Sequence, residues 1–312
     1  MKSLSFCILF LSINILWSQN EPMISPASQN VSTIHLSSQS PVKDQGNGNN
    51  CSAFGVAAAL ETLPNMPKDI SENFLYSAHK FDEYKNEREI TIGNFLKSYI
   101  ISLPKYGILT EGQLPYPKVP ATKWDQYDSE LFKALKESTT GPLSFEYKYK
   151  SLAKYITLDA YQYLGLQESK NVGYLKYLLD NGIKAIPVSY TIYRPAWNNY
   201  STMKYTTITP NFGYGVLMKD NSYAFYSEVK KEYPDINQRI LSQNFTYHRL
   251  DKDPNNYGGH VVTIIGYDSE GFIIKNSWGK GWRFFGYERV SYDFHELFAY
   301  EALILSKVSY KR

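Results

Sequence analysis

The chain has 312 residues, room for one large domain or a two-lobed one. Aromatic residues make up 16% of it, which excludes a disordered chain. Its formal net charge is +3 with Lys and Arg dispersed, so the sequence carries no nucleic-acid-binding stripe and no polybasic membrane patch.

The first eighteen residues stand apart. Lys2 precedes an apolar run, Phe6 to Trp17, and Ser18 supplies a small residue before Gln19-Asn20. That order reads as a secretory signal peptide over 1–18, so the mature protein is expected to be secreted or periplasmic. The run is too short to anchor the chain in a bilayer. Cys7 lies inside it, which leaves Cys51 as the single mature cysteine. One unpaired thiol in an exported protein points to a reactive cysteine. Residues 19–34, rich in Ser, Pro and Asn, read as a linker ahead of a domain spanning 35–312.

A small-residue run, Ala53 to Leu60, reads as a buried helix ended by Pro64. Asn49 or Asn50 is placed to cap it, and Cys51 then sits in its first turn. Unsatisfied N–H groups and the helix dipole favour a thiolate there. Gln45, six residues upstream, can donate its amide to an oxygen near the sulfur. Ser71 is placed to cap a helix through His79. Thr91 to Leu103 carries a helical stripe of Ile92, Phe95, Leu96, Tyr99, Ile100 and Leu103. Asp128–Ser138 reads as a short helix, and Val172–Asp180 as another closed by Asn181-Gly182. Strands are expected at Lys184–Tyr193, His260–Tyr267, Phe272–Ser277, Tyr287–Ser291 and Tyr300–Val308. Helices first and antiparallel strands later make an α+β protein, with a helical lobe over about 35–150 and a β lobe over about 151–312. Residues 193–258 give mixed signals and read as an insertion.

A thiol attacks a carbonyl only as thiolate, and needs a base, an orienter for that base and donors for the oxyanion. His260 opens an apolar strand in GGHVVTIIGYD, and Asn276 follows sixteen residues later in KNSWGKGW. Singly, each has a plainer reading. Cys51 could be a buried apolar residue, His260 a core histidine, Asn276 a turn former and Trp278 a core aromatic. His35, His79, His248 and His295 lack such context and read as surface or structural. No metal cluster, phosphate loop or dinucleotide fingerprint is legible, so no cofactor or metal is expected.

Taken together, three segments resemble the papain-like cysteine peptidases. PVKDQGNGNNCSAF resembles their P-V-K-x-Q-G-x-C-G-S-C-W-A-F, GGHVVTIIGYD their x-H-A-V-x-x-V-G-Y, and KNSWGKGW their K-N-S-W-G-x-G-W. Tyr106-Gly107-Ile108 with Leu114-Pro115-Tyr116 is similar to their Y-G-I…Y-P-Y turn. The resemblance implies a two-lobed fold with the active-site cleft between the lobes. It implies Cys51 as nucleophile, His260 as general base then acid, Asn276 as orienter, and Gln45 with the Cys51 N–H as oxyanion hole. Trp278 would cover the His260–Asn276 bond, and Gly93 and the Gly259 carbonyl would hold the substrate main chain. The expected activity is that of a monomeric endopeptidase on peptides or proteins, working through a thioester, with no nucleic acid and no stable membrane anchor.

Departures from the pattern are equally specific. Gly48 replaces a disulfide cysteine whose partner falls near Ala78, Ser52 replaces a tryptophan, and Asn94 replaces the second of two cleft glycines. Residues 19–34 are too short for the family's folded inhibitory segment, and nothing after the domain reads as a sorting module. His260 lies 209 residues after Cys51, against roughly 130–150 in papain-type enzymes, which is the reason for assigning an insertion to 193–258. Two other readings keep the scaffold: transfer of the acyl group to an amine, or a non-catalytic binding protein whose cleft the insertion covers.

Overall fold

A computed structural model describes residues 32–87, 92–117, 151–193, 197, 216–217 and 257–311. The signal-peptide reading over 1–18, the helix read at Asp128–Ser138, His248 and most of the insertion lie outside these residues.

Helices lead the described chain: α1 Cys51–Glu61, α2 Glu72–Glu87 and α3 Ser98–Tyr106. Strands dominate afterwards, and one two-residue strand precedes α1. They are β1 Thr33–Ile34, β2 Ile156–Leu164, β3 Ile186–Tyr193, β4 Val216–Leu217, β5 Tyr257–Tyr267, β6 Gly271–Lys275, β7 Tyr287–Ser291 and β8 Ala299–Tyr310. Two helices, α4 Val172–Asp180 and α5 Tyr292–Phe298, punctuate them. The strands form one sheet in the order β2-β8-β3-β5-β6-β7-β4, with β1 also on β5. Its pairs are antiparallel except β4 with β7. The α+β expectation with a helical half and a β-rich half therefore holds.

β5 reads as a near-continuous apolar run because both of its faces are covered. Successive residues point to opposite sides. Val261 joins the core shared with α1, α2 and α3, whereas Val262 and Ile264 join the core shared with α4 and α5. Apart from Ser52 and Glu61, α1 is apolar all round and has ten of its eleven residues buried, as a helix wedged between other elements must be. Its small residues let it approach the sheet closely. A Cβ on Gly55 would lie 2.7 Å from Val261 Cγ1 and 3.4 Å from Pro187 Cβ.

Several boundaries differ from the sequence reading. The helix expected over Thr91–Leu103 starts at Ser98, because Gly93 takes φ +75° and breaks the α conformation. Ile92 and Phe95 of the supposed buried stripe are 66% and 65% exposed. α3 then runs to Tyr106, where Gly107 closes it by donating to the Leu103 carbonyl at 2.8 Å. Ser71 caps α2 as expected, accepting from Phe74 N at 3.0 Å, but α2 extends well past His79. β6 stops at Lys275 rather than Ser277, since Asn276 N turns to the Gly286 carbonyl. Thr33 and Ile34, read as the end of the linker, pair with Tyr267 and Gly266 of β5. β2 escaped the reading because its middle is exposed, so no apolar pattern marks it. α5 has only seven residues, too few for a periodicity, although Ser291 caps it by accepting from Phe294 N.

Gly55→Val should destabilise the fold by about 1–3 kcal/mol, because the added branches meet a β-branched residue on a strand that cannot retreat. Gly112→Ala, where a Cβ meets nothing within 4 Å, should stay within about 0.5 kcal/mol of wild type. Urea unfolding of the two variants measures the difference.

Candidate active site

Cys51 is the first residue of α1, partly buried against the helical core. Asn50 occupies the N-cap position, yet its side chain does not cap. Its amide is drawn instead to the Tyr116 hydroxyl, Nδ2 to Oη at 2.9 Å. Asn50 therefore does not take the capping role read for it, and the N–H groups of Cys51 and Ser52 are turned toward the sulfur. The Val261 N–H donates to Cys51 Sγ at 3.4 Å. Burial pushes the Cys51 thiol up to about 11, while the N–H groups of Val261, Ser52 and Cys51 pull it down. Burial thus outweighs the helix N-terminus that the sequence reading relied on. A thiolate at neutral pH needs a positive charge beside it.

His260 supplies the candidate for that charge. Its Nε2 lies 2.8 Å from Asn276 Oδ1. Asn276 Oδ1 also accepts from Ser277 N at 2.8 Å, which fixes the amide orientation. An amide oxygen only accepts, so Nε2 carries the proton and Nδ1 is left as the basic nitrogen. Trp278 leans on the imidazole with ring centroids 4.6 Å apart. Trp197 meets the same imidazole edge-on at 5.7 Å and stacks on Trp282 at 6.1 Å. Both His260 and Asn276 are buried under these rings, which keeps water from their bond.

Gln45 is held from three sides. Its backbone N–H donates to the Ser277 carbonyl at 2.8 Å, its Oε1 accepts from Ser277 Oγ at 2.5 Å, and its Nε2 donates to Gly48 O at 2.6 Å. A primary amide has two N–H donors and Gly48 uses one. Gly279 N bonds Lys43 O at 3.0 Å, so the segment carrying Gln45 and the segment carrying Asn276 and Trp278 move as one.

Gln45, Cys51, Gly93, Gly259, His260 and Trp278 all line one cleft of about 970 Å³, and Asn276 stands behind His260. Gly259 is exposed there, beside the Tyr300 hydroxyl. Gly93 reaches the cleft but has its backbone engaged. Its N–H donates to Tyr76 Oη at 3.3 Å, and its carbonyl accepts from the buried Lys80 ammonium at 2.7 Å. Only the second lone pair of that carbonyl is left for a substrate, so its expected pairing is reduced to a single acceptor. Ser52, in place of an aromatic, is buried and bonds Tyr99 of α3, Oγ to Oη at 3.0 Å. Ala78 belongs to a small core with Phe74, Phe81, Tyr84 and Leu109.

An ionic cluster with buried Glu61 and Glu72 and an exposed Asp69 braces these loops. Lys43 Nζ contacts Glu72 and Asp69, each at 2.7 Å, and Glu61 at 3.4 Å. Lys275, next to Asn276, donates to the carbonyl and hydroxyl of Ser40 at 2.8 and 2.9 Å. Burial pushes Glu72 up to about 8 and Lys275 down to about 8. Burial also opposes the Lys43 charge, but its carboxylate neighbours raise it overall. On the far wall, buried Glu301 accepts from Leu96 N, Ser189 Oγ and Tyr163 Oη, tying the Gly93–Leu96 loop to the sheet.

Sequence reasoning missed several of these residues. Trp197 lies in the stretch read as an insertion, where no periodicity singles it out. His79, read as surface or structural, lines the cleft, and so do Asp82 and Glu83. The i, i+3 and i, i+4 spacing of these three on α2 was the available signal. His35 and His295 are structural, bonding the Leu179 carbonyl and the Tyr190 hydroxyl with the Ser169 carbonyl respectively.

The family model described as papain family cysteine protease matches residues 26–310. Among solved structures, xylellain, a cysteine protease from Xylella fastidiosa, is similar at 19% identity with a TM-score of 0.53, over 91% of this chain and 88% of that one. A structure from work on the mite allergens Blo t 1 and Der p 1 is similar at 15% identity with a TM-score of 0.51, over 92% and 74%. These likenesses concern the fold. No curated protein matches the sequence.

Removing the imidazole should expose the Cys51 thiol's own titration. In His260→Ala, alkylation of Cys51 by iodoacetamide should be slow at neutral pH. Its rate should rise about tenfold per pH unit until it levels near the raised value of about 11. Levelling below the ordinary thiol value would mean that the helix N-terminus, not burial, governs the sulfur.

Proposed function

The chain belongs to the papain family of cysteine proteases and is a cysteine peptidase acting on proteins; from that premise we propose that it is an exported endopeptidase working through Cys51, His260 and Asn276. The observation that carries the reading is the 2.8 Å bond from His260 Nε2 to Asn276 Oδ1, buried beneath Trp278 and Trp197 at the wall of the cleft that Cys51 lines. His260 Nδ1 takes the Cys51 proton, and the resulting imidazolium offsets the thiolate charge. The thiolate attacks the scissile carbonyl carbon. The oxyanion receives the Cys51 backbone N–H and the second N–H of Gln45. Collapse expels the amine, which takes its proton from His260, and leaves a thioester on Cys51. Water, deprotonated by His260, then attacks the thioester and releases the acid. The Gly259 carbonyl and one lone pair of the Gly93 carbonyl are the main-chain acceptors for the substrate.

Export rests on the 1–18 segment: a basic start, an apolar core and Ser18 at its end. Among the described residues no helix is long and apolar enough to cross a membrane. Recovery of a chain beginning near Gln19 outside the cytoplasm is the expected outcome, and a full-length cytoplasmic chain would remove this part of the reading.

Cys51→Ala should lose peptide hydrolysis entirely and keep its fold. His260→Ala should lower kcat by about 10⁴-fold and Asn276→Ala by about 10²-fold, because the asparagine only orients the base. Steady-state kinetics with circular dichroism on each variant decides this. Equal losses in the two would contradict an orienting role. A folded wild type that turns over no peptide would return the binding-protein reading, and product appearing only with an added amine would return acyl transfer.

A further inference from the structure

The loop from Gln45 to Asn50 joins the candidate oxyanion donor to the helix that begins at Cys51. It is polar, and Gly46 takes φ +55°, so its own sequence gives it little rigidity. Within it Gln45 and Gly48 bond each other, Nε2 to O at 2.6 Å and N to O at 3.2 Å, and one hydroxyl links its two ends. Tyr116 Oη donates to the Gln45 carbonyl at 2.9 Å and accepts from Asn50 Nδ2 at 2.9 Å, with Asn50 Oδ1 at 3.1 Å. A phenol has one proton and accepts at its oxygen, so the first two bonds coexist. Asn50 is fully buried, which makes its amide costly to leave unmatched.

The hydroxyl is itself fixed. The Tyr116 ring meets Phe54 of α1 edge-on with centroids 5.0 Å apart. Its N–H donates to Glu111 Oε1 at 2.6 Å. The preceding carbonyls of Leu114 and Pro115 accept from Ser71 Oγ at 2.5 Å and Asn73 Nδ2 at 3.0 Å. The space it occupies is available only because position 48 is glycine: a Cβ there would lie 2.6 Å from Oη.

We propose that Tyr116 is a positioning residue, whose hydroxyl bridges Gln45 and Asn50 and so holds the oxyanion donor in register with Cys51. The proposal rests on the peptidase reading above. Ser277 and Gly48 also hold Gln45, but neither bonds Asn50; without the bridge the link from Gln45 to the first turn of α1 is lost, while α1, seated on β5, keeps Cys51 in place. Attack that needs the oxyanion hole should then suffer, and attack that does not should continue.

Tyr116→Phe keeps the ring and removes only the oxygen. Its kcat on a peptide amide should fall about tenfold with KM within twofold, as expected for a donor displaced by a fraction of an ångström. Alkylation of Cys51 by iodoacetamide, which builds no oxyanion, should stay within twofold of wild type. Gly48→Ala should lower kcat in the wild-type background, and combining it with Tyr116→Phe should cost less than the product of the two separate losses, because one of the two colliding oxygens is gone and Asn50 Oδ1, 2.8 Å from the added Cβ, is released from its hydroxyl partner to turn away. An unchanged kcat in Tyr116→Phe, a parallel fall in hydrolysis and alkylation, or full multiplicativity of the two changes would each overturn the proposal. A wild type without hydrolysis would overturn it together with the peptidase reading, whereas an active wild type with an unaffected Tyr116→Phe overturns this inference alone.

Discussion

The close seat of α1 on β5 is the constraint on which the rest of the molecule depends. A helix carrying larger side chains at its contact face would stand farther from the sheet. Here Gly55 lies against Val261, and the Val261 N–H reaches the Cys51 sulfur at 3.4 Å. The same strand carries His260 one residue earlier. Packing of a small-residue helix therefore brings Cys51 and His260 from distant parts of the sequence onto one cleft. The contact has a chemical consequence: the burial that aligns the sulfur also raises its pKa to about 11. Nearby backbone donors do not reverse that effect, which is why the proposed mechanism assigns the imidazole a part in activating the sulfur as well as in accepting its proton.

Around this contact the protein places polar groups where a purely apolar core would have been simpler. Lys43, Glu61, Glu72 and Lys275 sit beneath the segments that carry Gln45 and Asn276. Buried ion pairs are weak evidence for stability. Their value here is geometric, since each joins two or three segments whose relative positions set the cleft. Lys80 and Glu301 do the same for the loop of Gly93 and Leu96, one from α2 and one from the sheet. Tyr116 fits this scheme at position 48, where the family pattern has a disulfide cysteine and this chain has glycine.

What was legible in the sequence follows from what repeats or stands alone. The α1 run could be read because a buried helix needs small and apolar residues in sequence. His260 and Asn276 could be read because the segments around them are long and distinctive. Thr91–Leu103 was read as a helix because apolar residues fall at helical spacing, yet one left-handed glycine decides that loop, and the exposed Ile92 and Phe95 serve the cleft wall instead. β2 and α5 carry too little pattern to be seen. The engagement of Gly93 by Tyr76 and Lys80 could not be read at all, since it joins residues whose contact only the tertiary fold creates. Trp197 is similar: its role as a wall beside His260 exists only once that side chain meets Trp278 and Trp282.

The central claim is that Cys51 carries the acyl group of the substrate. Acid quenching during turnover of an activated peptide ester, followed by mass mapping of the digested enzyme, measures this directly. The account predicts an acyl adduct on the peptide that contains Cys51, with its loss after the ester is exhausted. Continued hydrolysis with no adduct on that peptide, or with the adduct on another residue, would contradict it.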